Sequence, residues 1–350
     1  MSSASGLDPT VTGGGIAIVT IKDVAAHAGV SVATVSRALN NQQTVDVELA
    51  DRVRAAASEL GYRRNGLARS LRLQRADVWA LIISDIANPF FTAIARGVED
   101  VAQRQGFSVV LCNTDEDPAK EARYLEVAEQ EQVSGVIMSP NEIGSDISQL
   151  TRLGVPVVTV DRPLRERVDS VLVRSAAGAQ EATEHLIDAG WRRPACITGP
   201  ETAQTAIQRL EGYRRALVER KRRPAASLVR HADYRADRAA EATAELLDGR
   251  NPPDSFFVAN SEMALGVLQT LRTRGLTVGE DVGLVAFDNA PWTAFTDRPL
   301  SVVAQPAYEM GVLAGELLLE RVGVPLADQP APRVRRLRTE LIVRGSSLRP

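Results

Sequence analysis

From Val78 onward the chain repeats one pattern, a short apolar run followed by a stretch with helical periodicity. The runs are VWALIIS, FSVVLC, SGVIM, PVVTV, PACIT, SFFVA and VGLVAF. Between and after them, helical patterns cover residues 91–105, 119–132, 178–189, 209–222 and 261–274. A buried apolar strand followed by a crossover helix, many times over, demands parallel sheets flanked by helices. About 260 residues of this pattern suit two α/β lobes better than one. Ligands of such folds sit beyond the carboxyl ends of the strands, here in a cleft between lobes.

The remainder of the chain is different in kind. From Thr20 to Arg75 there are one lysine and eight arginines against five acids, a charge of +4. The 350 residues together carry −3, so the rest holds −7. Five arginines and no acid lie between Arg63 and Arg75. A basic segment on an acidic body points to a polyanion bound at one end, although a solvated arginine face gives the same count.

Residues 23–40 read DVAAHAGVSVATVSRALN. Ile21, Val24, Ala25 and Ala28 fall on one face of a helix. Gly29 suits a left-handed helix end, and Ser31 an N-cap. A second short helix from Val32 to Leu39 turns Val35 and Leu39 inward. Val32, Ala33, Thr34, Ser36 and Arg37 are left facing out. Two short helices with a glycine turn and small packing residues make a helix-turn-helix. Its second helix suits the major groove, with Ser31 and Thr34 on phosphates and Arg37 on a guanine edge. A third helix runs from about 47 to 60, ending at Gly61.

Here D23-V-A-A-H-A-G-V-S31, T34-V-S-R37, L60-G-Y62 and N65-G-L-A-R-S-L71 resemble the DNA-binding headpiece and hinge of the lactose/galactose repressor family. The resemblance implies that Val32 and Ala33 vary with the operator, that Arg37 contacts a base and that Tyr62 contacts a phosphate. Asn40, Asn65 and Arg69 join the DNA-contacting set. The hinge is expected to become helical only when two subunits meet on double-stranded DNA, with Ala68 and Leu71 entering the minor groove. Arg64 stands where the family usually has proline, and Gly66 adds backbone entropy, so a looser hinge is expected without DNA.

The body resembles the same family's sugar-binding region, related to periplasmic binding proteins. The signposts are D85-I-A-N-P-F-F91, V160-D-R162, R209-L-E-G-Y213, A259-N260, F287-D-N289 and Q305-P306. The resemblance implies an effector cleft of Phe90, Phe91, Asp161, Arg162, Arg209, Tyr234, Asn260 and Asp288. Carboxylates and amides fix hydroxyl directions, arginines clamp hydroxyls or a carboxylate, and aromatics stack on a sugar face. Taken alone, Phe90 and Phe91 also read as core, and Asp161 and Asp288 as turn residues. Arg174-Ser175, Asn260-Ser261 and Gly190-Trp191 depart from the family pattern. Arg174 and Ser261 read either as changes of the framework alone or as a change of effector, the two lost acids and the gained arginine then favouring a sugar acid over a neutral sugar.

The expected architecture is therefore a small all-α helix-turn-helix headpiece and a two-lobed, periplasmic-binding-protein-like α/β body. The divisions are a tail at 1–18, a headpiece at 19–64, a hinge at 65–76 and a body at 77–345. Lobe 1 is expected at about 77–174 and 305–335, lobe 2 at about 175–304 and 336–345. No phosphate loop, metal-ligand spacing or catalytic triad announces itself, so no cofactor, metal or enzymatic role is expected. His27 and His185 read as helix-surface residues, and His231 as a possible cleft residue. Cys112 and Cys196 each lie in apolar runs and read as buried free thiols. With no signal peptide and no apolar run of about 18 residues, the expected place is the cytoplasm, at the nucleoid. The expected function is a homodimeric transcription regulator, a repressor, controlled by a sugar or sugar acid. The alternative is a sugar-binding protein without a DNA role, disfavoured by the basic headpiece.

Overall fold

The computed structural model describes residues 19–39, 45–62 and 76–349. The expected DNA contacts Asn40, Asn65, Ala68, Arg69 and Leu71, with Arg64 and Gly66, lie outside them. The chain divides into two compact units, with the boundary between Leu73 and Gln74.

In the first unit three helices are described, α1 (Ile21–Ala28), α2 (Val32–Leu39) and α3 (Val47–Glu59). The Thr20 amide and hydroxyl both meet the Asp23 carboxylate at 2.7 Å, securing the first turn of α1. Gly29 ends that helix at φ +66°, a conformation glycine adopts without steric cost. The Val30 amide then closes on the Ala25 carbonyl at 3.0 Å, satisfying one of the last free acceptors. The Ser31 hydroxyl accepts the Thr34 amide at 3.1 Å and starts α2. Asp46 caps α3 through the Glu48 and Leu49 amides. Val24, Ala25, Ala28, Val35, Ala38, Ala50, Val53, Ala56 and Ala57 form the core, with Ile21, Leu39, Leu60 and Tyr62 packed at its edge. Most of these core residues are alanine, which lets three short helices approach closely.

In the second unit the chain runs β1 (Ala76–Ile83), α4 (Pro89–Arg104), β2 (Ser108–Asn113), α5 (Pro118–Gln130), β3 (Val133–Met138), α6 (Ser148–Arg152), β4 (Val157–Val160) and β5 (Asp169–Val173). It continues as α7 (Ser175–Asp188), β6 (Pro194–Thr198), α8 (Gln204–Glu219), β7 (Val229–His231), α9 (Ala236–Leu247), β8 (Ser255–Val258), α10 (Ser261–Thr273), β9 (Gly283–Phe287) and β10 (Ser301–Ala304). Last come α11 (Ala307–Leu319), β11 (Val334–Leu337) and β12 (Glu340–Ile342).

Two six-stranded sheets result, ordered β11-β5-β4-β3-β1-β2 and β12-β10-β9-β8-β6-β7. Both are covered on two faces, and side chains alternate accordingly. Trp79, Leu81 and Ile83 enter one core while Ala80 and Ile82 enter the other. The sheets are parallel, as expected, with one antiparallel pair, β12 with β10. The reason lies in the crossings. The chain passes between sheets after Val173, Ala304 and Leu337, always from a strand's carboxyl end. β12 therefore enters the second sheet from that end and must run against β10. The last crossing falls after Leu337 rather than at 335.

Several helices begin earlier than their apolar periodicity implies. α4 starts at Pro89 because the Asn88 side chain accepts the Phe90 amide at 2.9 Å and proline suits the first helical position. α7 starts at Ser175 and α8 at Gln204.

Helix pairs cross at glycines. A Cβ on Gly97 would stand 2.3 Å from the Tyr308 carbonyl oxygen, and one on Gly311 would stand 2.1 Å from that of Ile94. α4 and α11 thus touch backbone to backbone above the first sheet. The substitution Gly311→Ala is expected to cost about 1–3 kcal/mol through forced separation of the two helices. In urea unfolding this lowers the midpoint at unchanged slope, and an unchanged midpoint would show that the helices yield freely.

Candidate functional site

A cavity of about 310 Å³ lies where the carboxyl ends of both sheets' strands converge. The first lobe contributes Ser84 and Asp85 after β1, Asn88, Phe90 and Phe91 at the start of α4, Asp115 and Glu116 after β2, and Asp161 and Arg162 after β4. The second lobe contributes Thr205 and Arg209 of α8, Asp233 and Tyr234 after β7, Asn260 after β8 and Asp288 after β9. Gln305 joins from the crossing between β10 and α11. All eight residues expected in the cleft line this one cavity.

The backbone is bent to aim them. Among the described residues eight non-glycines have positive φ, and six of those line the cavity: Asp115, Glu116, Asp161, Asp233, Tyr234 and Asp288. Strained turns of this kind cluster at functional sites. The Tyr234 ring needs room as well as aim. A Cβ on Gly199 would stand 2.3 Å from that ring, so glycine is required beside it. The Tyr234 hydroxyl then meets Thr205 at 2.8 Å.

The alternatives for several residues prove compatible. Phe90 and Phe91 belong to the first lobe's core and line the cavity too, their rings edge to face at 5.0 Å. Asp161 and Asp288 are strand-end turn residues at φ +68° and +74°, and cavity residues at once.

Hydrogen bonds hold the walls and leave some atoms free. Both terminal nitrogens of Arg162 donate to Glu116, at 2.6 and 2.5 Å. The same guanidinium lies 5.6 Å from the Tyr234 ring, so it reaches from one lobe to the other. Arg209 donates to the Ala259 carbonyl at 2.5 Å and stacks on Phe287 at 4.0 Å. Gln305 donates to Asp288 at 2.6 Å, and Asn260 Oδ1 accepts the Met263 amide at 2.9 Å. Ser84 Oγ, Asp161 Oδ1, Arg162 Nε, Arg209 Nε and Gln305 Oε1 are buried without a partner. Buried polar atoms without partners are costly, so donors and acceptors left bare together in one cavity form the complement of a polar ligand.

The charges are unbalanced. Asp85, Asp115, Glu116, Asp161, Asp233 and Asp288 face Arg162, Arg209 and Arg235. Burial pushes the Asp161 carboxyl from its ordinary 3.8 up to about 6, against the pull of Arg162 and Arg209. Burial raises Asp288 also, against Arg209, Gln305 and the Ser261 amide. Burial opposes the charge on Arg162, but Glu116 outweighs it and holds the guanidinium charged well above its usual range.

Arg174, read either as a framework change or as a change of ligand class, is exposed and does not line the cavity. Its cation cannot support a preference for sugar acids. Ser261 is buried behind Asp288, its amide 3.4 Å from that carboxylate. His231 does not line the cavity; its Nδ1 meets the Gly199 carbonyl oxygen at 2.6 Å. His185 is half-buried against the Ser347 hydroxyl, and His27 bonds Glu59 on the headpiece. Trp191 is core, its indole donating to the Ser347 carbonyl. Both cysteines are free and buried. Ser84, Asp85, Asn88, Glu116, Thr205, Asp233 and Gln305 line the cavity without having been singled out, though Asp85, Asn88 and Gln305 lie within quoted motifs.

On the headpiece, Val32, Ala33 and Arg37 are exposed on α2, while Thr34 and Ser36 are half-exposed and Val35 is buried. The Ser31 and Thr34 hydroxyls bond each other at 2.9 Å at the helix start. The Arg37 side chain bonds the Ala33 carbonyl at 3.4 Å along the helix. Tyr62 packs at the core edge, beyond the turn at Gly61. Among the described residues no group of three or more His, Cys, Asp or Glu is arranged to hold a metal ion, and no helix is long and apolar enough to cross a membrane.

Residues 20–65 match the family described as bacterial regulatory proteins, lacI family, and residues 183–347 match a periplasmic binding protein-like domain. The ribose operon repressor of Halalkalibacterium halodurans is 37% identical over 303 residues, spanning 87% of this chain and 90% of that protein. That of Escherichia coli K12 is 34% identical over 313 residues, spanning 89% and 95%. The lac repressor dimer bound to operator and an anti-inducer superposes with a TM-score of 0.84 at 26% identity, over 94% of this chain and 99% of that one. A CelR–cellobiose complex gives 0.71 at 32%, with the same coverage. A helix-turn-helix headpiece on a binding-protein-like body defines a DNA-binding transcription regulator, not an enzyme. The chain belongs to the lacI family.

The Asp161 carboxyl gives the cleft a pH signature. In the folded protein it is protonated below about 6, in the unfolded chain only below about 4. Its contribution to stability is complete below pH 4 and is lost as the pH rises through 6, by up to about 3 kcal/mol. The unliganded Asp161→Asn variant is expected to be more stable than the parent at pH 7 and equal to it at pH 4, read by urea unfolding at both. Lower stability of the variant at pH 7 would overturn the assignment.

Proposed function

We propose that this chain is a dimeric repressor that reads a pseudo-palindromic operator and whose grip is set by a sugar in the cleft. One observation carries the reading. The same chain presents a small exposed surface on a helix-turn-helix and a buried cavity with unpartnered hydroxyl-binding atoms. The names of its relatives support it, two ribose operon repressors and a regulator seen with cellobiose. A neighbour from Enterococcus faecium was solved with bound ribose.

In this reading Arg37 contacts a base, Val32 and Ala33 pack on thymine methyls, and Ser31, Thr34, Ser36 and Tyr62 meet backbone or base edges. Asn40, Asn65, Ala68, Arg69 and Leu71 complete the DNA-binding set. Phe90, Phe91, Asp161, Arg162, Arg209, Tyr234, Asn260 and Asp288 hold the effector. Two-fold symmetric reading of DNA calls for a homodimer. The place of action is the cytoplasm, at the nucleoid. Effector and DNA are linked, so each changes the other's affinity by the same factor.

The test is fluorescence anisotropy on DNA flanking the protein's own gene, across a salt series and with sugars added. A salt-sensitive preference over random DNA, altered by a sugar, is expected. Arg37→Ala should weaken the preferred site by about ten- to a hundredfold and random DNA far less. Equal binding to all DNA, with and without sugars, would leave the alternative of a sugar-binding protein alone.

A further inference from the structure

The cleft occupies the carboxyl ends of the strands. A second cavity, of about 220 Å³, lies at the other end of the first lobe. Val157, the first residue of β4, and Asp169, the first of β5, both line it. α11 runs back from the cleft end, so the residues after it arrive here as well. Arg321, Leu326 and residues 329–332 complete the wall with the turn at 154–156.

Arg321 is buried, its side chain 6% exposed. Its Nε donates to Asp169, and its Nη1 to Gln329 Oε1 at 3.2 Å and the Pro330 carbonyl at 2.9 Å. Its Nη2 is buried with no partner. The acceptors around it are engaged. Arg321 takes one oxygen of the fully buried Asp169, and the Arg333 amide takes the other at 2.6 Å. Gln329 turns its own amide to the Val324 carbonyl at 3.1 Å. Among the residues lining this cavity, the one buried side-chain atom without a partner is thus a donor. The cleft differs, because there the bare acceptors Asp161 Oδ1 and Gln305 Oε1 accompany the bare donors.

An unused N–H of a buried cation calls for an acceptor, and an anionic oxygen is the strongest one. The charges agree. Arg167, exposed and in no ion pair among the described residues, joins Arg321 against Asp169 alone, so the lining is net positive. Val155, Pro156, Val157, Val168, Leu326 and Pro332 make the rest of the wall apolar. The volume falls below the roughly 300 Å³ at which sites for drug-sized ligands begin, so the ligand is small.

We propose that this cavity is a second ligand site, separate from the cleft, that takes a small carboxylate with an apolar body. The carboxylate meets Arg321 Nη2 and the charge of Arg167, and the body packs on the valines and prolines. The proposal does not depend on what the cleft binds.

The test is a ligand-observed NMR titration of the full-length protein at pH 7 with benzoate, 3-methylbutanoate and the uncharged benzamide. The variants are Arg167→Ala, Arg321→Lys and Ala331→Phe, each checked for folding by thermal unfolding. Ala331 is exposed and lines the cavity, so phenylalanine there fills the space without touching the arginines. Benzoate or 3-methylbutanoate is expected to bind saturably with a Kd of roughly a millimolar, and benzamide about tenfold more weakly than benzoate. Arg167→Ala should weaken the carboxylates severalfold and Arg321→Lys about tenfold, while Ala331→Phe should abolish their binding.

A parent that saturates with neither carboxylate by about 20 mM, a level well above the expected Kd, overturns the proposal. So does equal affinity for benzoate and benzamide, which removes the carboxylate from the recognition. Should Arg321→Lys fail to fold, Ala331→Phe decides. Binding that survives unchanged in a folded Ala331→Phe variant lies elsewhere on the protein, and the proposal falls.

Discussion

Left-handed backbone at a non-glycine residue costs about 1–2 kcal/mol, and this chain accepts it repeatedly around a single cavity. Asp115, Glu116, Asp161, Asp233, Tyr234 and Asp288 all follow strands that end at the cleft. A strand that simply ran on would point its next side chains along the sheet. The tight reversal instead turns a carboxylate or phenol inward while the chain moves away into the next helix. Rigid parallel strands over-determine these turns, which is why the strain persists. The turn residues and the cavity residues are therefore the same residues, and the sheets serve to hold them.

Burial adds a second debt that the protein leaves partly open. Asp161 and Asp288 are buried with their ionisation disfavoured, and five polar atoms of the cavity lack partners. A hydrophobic lining would be more stable but would recognise nothing polar. A ligand that supplies partners to these atoms removes that cost, and its affinity then includes the difference. The headpiece follows another rule. Its core is mostly alanine, too small to contribute much apolar burial, and its helices depend on well-made ends at Thr20, Gly29, Ser31 and Asp46. Capping sets α2 in place, and the inward Val35 and Ala38 decide which side chains remain outside.

Much of this was legible in the sequence where a residue has one plausible use. Gly29 followed by Ser31 marks a turn and a cap by chemistry alone, and runs such as SFFVA are too apolar for anything but a buried strand. β7, β11 and β12 escaped because they are short edge strands, half-exposed or exposed, with no continuous apolar run. α11, with the sequence AYEMGVLAGELLL, is apolar nearly all round, which hides its helical stripe. In the cleft, resemblance located the eight aromatic, charged and amide residues, but not the partners that qualify them. Glu116 lies in TDED, a segment that reads as a polar loop, and nothing local shows that it meets Arg162 forty-six residues later. The two readings of Arg174 stayed open for the converse reason: its position in sequence beside a strand end says nothing of which way it faces. Long-range pairing and side-chain direction are tertiary facts, and local periodicity does not contain them.

The three crossings between the lobes carry the last consequence. Each leaves a strand at the cleft end, and one of them lines the cavity. Gln305 lies on one of them. Its amide donates to Asp288 at 2.6 Å, and its carbonyl oxygen is buried without a partner among the cavity residues. Arg162 spans the cleft too, held by Glu116 in its own lobe and set against the Tyr234 ring of the other. A ligand that bonds Gln305 and Arg162 Nε therefore contacts a crossing and a bridge at once, atoms whose positions depend on how the lobes are set. A ligand shifts a conformational equilibrium only as far as its affinity differs between the two settings, and contacts to such atoms are where that difference arises.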